Sequence, residues 1–400
     1  MLRFFNSIFD FPFSFGQKSS LLLIFFFHGI VFSFLVLRKG LINNNKASKW
    51  LSLLLFLYAM YITPYMLGYA NWYSDKLTAD ILFFIPFMQV LLIGPVVFFY
   101  TKSLLNTNFK LAKKDYIHFI PSILYAIYSL VVFITDKLIL DEYYFYADGR
   151  DKDLANWYQA TGLLSMAFYL VLSLKYYSNY KKLLFDTVSY ADTLLFKWIR
   201  NFMIAFLGIL VLRVLFFILN PDWGEFGSQF WHYIAFSFVF YYIAINGYSN
   251  IIKQITLEGE KLKTINVFYE GISKTVVEND PLNEGEKDYV IWKDKISELM
   301  LEKRLFENPR LTLSDVAKEL NITTKIVSSA VNSGFNMNFN DFINHYRIEA
   351  VKEKLNKGEH NRTTLLGIAL DSGFNSKATF NRAFKKSTSL SPKDFIEKLS

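Results

Sequence analysis

Up to Gly247 the sequence is a succession of apolar stretches, each about twenty residues long and almost free of ionisable groups, and this constrains the fold more than any other feature. A hydrocarbon core of about 30 Å is crossed by roughly 20 helical residues, and a helix satisfies its own backbone where there is no water to do so. Seven segments meet that requirement: 19 to 37, 50 to 70, 81 to 101, 117 to 135, 157 to 174, 198 to 219 and 228 to 248. The first is followed by Arg38 and Lys39 and has no small-residue cleavage site, so it reads as a retained span, not a signal peptide. The 42 phenylalanines exceed the needs of ordinary soluble cores. The absence of cysteine excludes disulfides, thiolate metal sites and cysteine nucleophiles.

Positive charge next to a span resists translocation, so the loops orient the chain. The first, third and fifth loops carry twelve basic residues: Arg38, Lys39, Lys46 and Lys49; Lys102, Lys110, Lys113 and Lys114; Lys175, Lys181, Lys182 and Lys197. The second, fourth and sixth loops carry Lys76, Lys137, Arg150 and Lys152, and with Arg3 and Lys18 of the N-terminal segment the opposite side has six. The expectation is therefore a multi-pass protein of the inner membrane with its N-terminus outside and its C-terminal third in the cytoplasm. Four divisions follow: an extracytoplasmic segment (1–18), a seven-span domain (19–248), a connector (249–287) and a C-terminal domain (288–400). The connector is polar, with Gly259, Gly271 and a turn-forming run from Asn279 to Gly285. Its Lys253, Lys261 and Lys263 would face either headgroups or solvent.

Polar groups within spans are costly and point to function by default. Arg213 lies about two turns from the outer end of the sixth segment, where snorkelling of its long stem to the interface is the expectation and an anionic ligand the alternative. His28, His118 and His232 lie on three different segments without an acidic neighbour in sequence, which favours packing over metal binding. Pro64, Pro86, Pro95 and Pro121 are expected to kink helices. The aromatic fourth loop, with Tyr143, Tyr144, Phe145, Tyr146 and Trp157, suits an interfacial belt or an outer binding surface.

The C-terminal domain contains an internal repeat that emerges when Thr323 is laid on Ser376. In the first copy Thr312 and Asp315 form a capping box before Leu313, Val316, Ala317 and Leu320. Asn321 then ends that helix, Thr323 caps the next, and Ile326, Val327, Ala330 and Val331 give it a buried face. In the second copy Leu365, Ile368 and Ala369 are followed by Gly373 as terminator, Ser376 as cap, and Phe380, Ala383 and Phe384 as the buried face. Between the copies Phe339, Phe342, Ile343, Tyr346 and Ala350 recur at helical spacing up to Leu355, which predicts one long helix joining two helix-turn-helix units. Ser391, Pro392 and Asp394 start a last helix, and another is expected around Tyr289 to Arg304. The fold class is all-α throughout.

The run Ile368, Ala369, Ser372, Gly373, Phe374, Ser376, Phe380, Arg382, Phe384, Lys385, Lys386, Ser391, Pro392 and Phe395 resembles the signature of AraC-type transcription regulators, over roughly residues 288 to 400. Phe339, Asp341, Phe342, Ile343, Tyr346, Arg347 and Ala350 resemble that family's linker region. Asn336 and Ser389 stand where the family usually has glycine at a helix end. The resemblance implies a bipartite domain whose two recognition helices enter successive major-groove segments on one face of DNA.

The buried face of each second helix fixes the opposite face as the one offered to DNA. This face carries Lys325, Ser328, Ser329 and Asn332 in the first unit, and Lys377, Ala378, Asn381, Arg382 and Lys385 in the second. Arg382 and Asn381 suit bidentate contacts to guanine and adenine, while Thr323, Ser376, Lys386 and Lys393 suit phosphates. Arg347 is the candidate for a structural role. From Glu286 onward there are 19 basic against 15 acidic side chains, a balance compatible with DNA.

The reading is a membrane-bound, sequence-specific DNA-binding regulator that couples a membrane or extracytoplasmic signal to transcription, with no catalytic role, cofactor or metal. Its partners are double-stranded DNA and the lipid bilayer, with a homodimer and an unidentified ligand or membrane partner as open candidates. The alternative is a membrane receptor or anchor whose helix-turn-helix domain binds a protein.

Overall fold

The computed structural model describes residues 15–106, 108–194, 197–219, 227–251 and 289–399, and every regular element among them is helical. Two compact units divide the chain: Met1–Tyr177 with Lys197–Val276, and Ser178–Phe196 with Val277–Ser400. The connector expected at 249–287, with its three lysines and turn-forming run, lies outside the described residues apart from its first three, as does most of the N-terminal segment.

The first unit comprises α1 (Gln17–Ile42), α2 (Lys46–Gly68), α3 (Lys76–Phe84), α4 (Val90–Leu105) and α5 (Ile120–Phe133). A 3-10 helix (Lys113–Phe119) leads into α5 and a π-helical turn (Ile134–Ile139) leaves it. Then come α6 (Asn156–Thr187), whose residues from Ser178 onward belong to the second unit, α7 (Ala191–Leu194), wholly in the second unit, α8 (Lys197–Leu219) and α9, residues 230–251. Among the described residues five helices are long and apolar enough to cross a membrane: α1, α2, the stretch Lys113–Ile139, α6, and α8 as far as Phe216. Several carry outward apolar stripes at helical spacing, such as Ile24, Phe27, Val31 and Phe34 on α1, or Ile204, Leu207, Val211 and Ile218 on α8. So much exposed apolar surface suits lipid better than water.

Small side chains let some of these helices approach closely, alongside aromatic contacts such as Tyr58 with Phe236 and Phe240. Ser33 and Ser52 exchange hydrogen bonds between α1 and α2, each hydroxyl donating to the other's carbonyl at 2.9 and 2.8 Å. On α1, Gly29 leaves room for the Phe240 ring of α9, which a Cβ would approach to 2.4 Å.

Two sequence expectations are corrected. The segment 81 to 101 is two helices, not one: Ile85 before Pro86 is extended (φ −95°, ψ 114°), and regular α-helix resumes only at Val90. The clash of a proline ring with the preceding residue accounts for the break. Asp153 and Tyr158 satisfy the backbone freed there, the Met88 N–H donating to Asp153 Oδ2 at 2.8 Å and the Met88 carbonyl accepting from the Tyr158 hydroxyl at 2.6 Å.

Arg213, in turn, does not snorkel. It is 4 % exposed, and its Nη2 donates to Gln159 Oε1 at 2.8 Å, while Gln159 Nε2 donates to the Asp153 carbonyl at 2.6 Å. The buried amide offers the guanidinium an acceptor inside the protein, so reaching for the interface is unnecessary. The expectation for the histidines is met at His28, which packs between Phe32 and Tyr241. His118 meets the Tyr169 hydroxyl at 2.8 Å.

The second unit continues with α10 (Tyr289–Lys303), α11 (Leu313–Glu319), α12 (Thr324–Ser329), α13 (Phe339–Asn356), α14 (Leu365–Asp371), α15 (Lys377–Thr388) and α16 (Pro392–Leu399). There are two cores. Ile296, Met300, Val316, Val327 and Val331 belong to the first, and Ile368, Ala369, Phe374, Phe380 and Phe384 to the second. The long helix α13 serves both, giving Phe339, Phe342 and Ile343 to the first, and Ile348, Val351 and Leu355 to the second.

Candidate nucleic-acid interface

Each unit of the repeat is set by its caps. Thr312 accepts from the Asp315 N–H at 3.2 Å while the Asp315 carboxylate accepts from the Thr312 N–H at 2.9 Å, which starts α11. Asn321 (φ 54°) turns the chain, and Thr323 caps α12 by accepting from the Ile326 N–H. In the second unit Thr364 caps α14, Gly373 (φ 91°) makes the turn, and Ser376 caps α15 by accepting from the Thr379 N–H at 3.2 Å. The two caps aligned in sequence thus hold equivalent places.

On α15, Phe380 and Phe384 are buried, whereas Lys377, Ala378, Asn381, Arg382 and Lys385 are exposed on the other side, with the cap Ser376 half-buried at the N-terminus. The first unit presents less. Its α12 has six residues and passes into a π-helical turn (Ala330–Gly334). Lys325 and Asn332 are exposed, Ser328 and Ser329 are half-buried, and Ser328 is engaged by the Asn332 amide at 3.2 Å. The phosphate candidates Lys386 and Lys393 pair with Asp341 at 2.7 Å and Glu397 at 3.8 Å.

The two helix-turn-helix units are locked together by features that the repeat alone did not reveal. Gly373 lies so close to the backbone of the turn after α10 that a Cβ would come within 2.2 Å of the Phe306 carbonyl oxygen. Arg347, 1 % exposed, donates from Nε to the same carbonyl at 2.8 Å and from Nη2 to the Asn308 carbonyl at 2.8 Å. Burial lowers its pKa to about 9, which leaves it charged at neutral pH. The structural role expected of Arg347 is thus seen directly.

Sequence reasoning missed one part of this unit entirely. The stretch Ser178–Phe196, read as a cytoplasmic loop between spans, folds with the C-terminal domain. Val188 pairs with Thr312 in an isolated antiparallel bridge, and the Ser189 N–H donates to the Leu311 carbonyl at 3.1 Å. The Ser189 carbonyl and hydroxyl accept from Arg347 at 3.2 and 2.9 Å, and the Val188 carbonyl accepts from Asn340 at 3.3 Å. Beyond this anchor, Asp192 of α7 forms an ion pair with Arg382. The compact unit is therefore wider than residues 288–400.

Residues 316–398 match the family model of a helix-turn-helix domain. The family is of AraC type, and the matched stretch begins within α11 of the first repeat unit and takes in the whole of the second. The chain matches no curated protein and no solved structure.

Proposed function

We propose that this chain is a membrane-bound, sequence-specific DNA-binding regulator of AraC type, in which a bundle of spanning helices holds a bipartite reader at the cytoplasmic face. The observation that carries the proposal is the face of α15, where Lys377, Asn381, Arg382 and Lys385 stand exposed opposite buried Phe380 and Phe384. Such a face supplies bidentate donors for base edges and positive charge for the backbone. Helix α12, shorter and carrying serines, contributes mainly position. The helix-turn-helix match, the five apolar helices and their outward apolar stripes support the reading. Excess basic charge on the first, third and fifth loops supports a cytoplasmic side for the reader. Folding of part of the fifth loop with the reader is in keeping with a common side.

The reader stays tethered, so its target DNA must come to the membrane, and a stimulus acts by shifting the population of reader states. The test is selection from random duplex DNA by the full chain in detergent, over a series of salt concentrations. Enrichment of one sequence class with affinity that falls as salt rises is expected. A domain that instead docks a protein would select no sequence and show no such salt dependence.

A further inference from the structure

The segment joining α6 to α8 does more in the second unit than connect two helices. Val188 and Ser189 fix its backbone to the first half of the reader, through the bridge to Thr312 and the bonds from Arg347 and Asn340. From that anchor the short helix α7 carries Asp192 to α15, where its carboxylate pairs with Arg382. The Asp192 side chain is 8 % exposed and that of Arg382 is 59 % exposed. The second carboxylate oxygen, Oδ1, is buried and makes no hydrogen bond among the described residues. A cavity of about 670 Å³ lies beside the pair, lined by Lys181, Lys182, Asp186, Asp192, Arg382 and Lys386 among others.

We propose that the segment Ser178–Phe196 is a built-in competitor of DNA, in which Asp192 occupies the base-reading Arg382 and holds the reader in a low-affinity state. The inference rests on the DNA-binding reading above. The physical argument has two parts. A bidentate grip on a guanine edge needs the Arg382 fork turned to the groove, and Asp192 Oδ2 holds its Nη2 away from it, so the carboxylate and the guanine edge compete. Moving it to DNA strips a nearly buried carboxylate of its ion-pair partner, and an uncompensated buried charge is expensive. Because the anchor at Val188 and Ser189 keeps Asp192 close, the competitor acts at high effective concentration and no second chain is needed. The segment is also continuous with α6 and α8, two of the apolar helices, so a change in those helices reaches the reader through a covalent link. Release of Asp192 is the step that a stimulus would favour.

A double-mutant cycle on the full chain tests this, using the duplex selected as above at one fixed salt concentration. Asp192→Asn is expected to tighten DNA binding at least three- to five-fold, the scale of one exposed ion pair being a lower bound for a pair whose carboxylate is nearly buried. In an Arg382→Ala background the same change is expected to do nothing. Equal tightening in both backgrounds would show general electrostatics and overturn the inference, as would no tightening in either. If no form binds any duplex, the DNA-binding reading itself fails. Should Asp192→Asn not fold, hydrogen exchange on the unaltered chain decides: added DNA is expected to speed exchange across residues 190–194, and unchanged protection there would refute release.

Discussion

Arg347 holds Ser189 by both its carbonyl and its hydroxyl, at 3.2 and 2.9 Å, across 158 positions of sequence. The same guanidinium holds the carbonyls of Phe306 and Asn308, so two stretches remote in sequence meet α13 on one buried cation.

Removing that cation orphans several buried carbonyls at once. Arg347→Ala is expected to destabilise the second unit by about 2–5 kcal/mol, because more than one neutral acceptor is left without a donor at about 1–3 kcal/mol each. Ser189→Ala removes one acceptor and is expected to cost about 1 kcal/mol. Pulse proteolysis in urea, read on fragments of the C-terminal domain, measures both. A fragment of residues 286–400 lacks Ser189 altogether, so it is expected to be less stable than the same domain in the full chain.

Backbone conformation supplies a pair of opposed predictions. At Gly373 a side chain meets both an unfavourable φ of 91° and a carbonyl oxygen 2.2 Å away, so Gly373→Ala is expected to cost well over ~1 kcal/mol. At Ser389 the φ is 61° and the residue is exposed, which is strain without crowding. Ser389→Gly is expected to stabilise by about 1 kcal/mol. The same proteolysis assay reads both signs.

Much of this domain was legible because caps and turns are local. Thr312 with Asp315, Thr323, Ser376, and Ser391 with Asp394 lie within one turn of the groups they bond, and Asn321 and Gly373 declare left-handed turns by residue type. Periodicity likewise placed Phe380 and Phe384 inside and Lys377 and Arg382 outside. Docking of Val188 and Ser189 was invisible, since its partners are remote in sequence and hydrogen bonds to backbone carbonyls leave no mark on residue choice. The break at Pro86 was hidden for a related reason. A proline in an apolar run is read as a kink, and Asp153 and Tyr158, 65 and 70 residues from Met88, make a full break tolerable.

That carboxylate is one of a pair. Asp151 and Asp153 are both nearly buried, the first accepting from the Tyr73 hydroxyl at 2.7 Å and the second from the Tyr125 hydroxyl at 2.6 Å. Burial raises Asp151 to about 7 and, with the neighbouring Asp151 charge, raises Asp153 well above its ordinary value. Carboxyls whose pKa is higher folded than unfolded bind more protons in the folded state, so their stabilisation is full below about pH 4 and lost as pH rises through about 7. The detergent-solubilised chain is expected to melt at a higher temperature near pH 5 than near pH 8. Asp153→Asn is expected to reduce that difference, and an unchanged difference would remove the pair as its source.

Base reading by Arg382 has its own signature. Arg382→Ala is expected to cost about 1–3 kcal/mol of DNA affinity and to relax preference at one base position. Lys386→Ala, at a phosphate candidate, is expected to weaken all sequences alike. Repeating the selection with each variant separates the two outcomes, and a uniform loss for Arg382→Ala would recast it as a phosphate contact.

On the proposed function, one chain is both a membrane protein and a reader of DNA sequence. The most direct test is flotation of the full chain reconstituted in lipid vesicles, mixed with a labelled duplex carrying the selected sequence or with a scrambled one. The selected duplex is expected to rise with the vesicles, to lose that association as salt is raised, and to do so far more than the scrambled one. Vesicles that float with the protein while both duplexes stay below, at every salt concentration, would contradict the account.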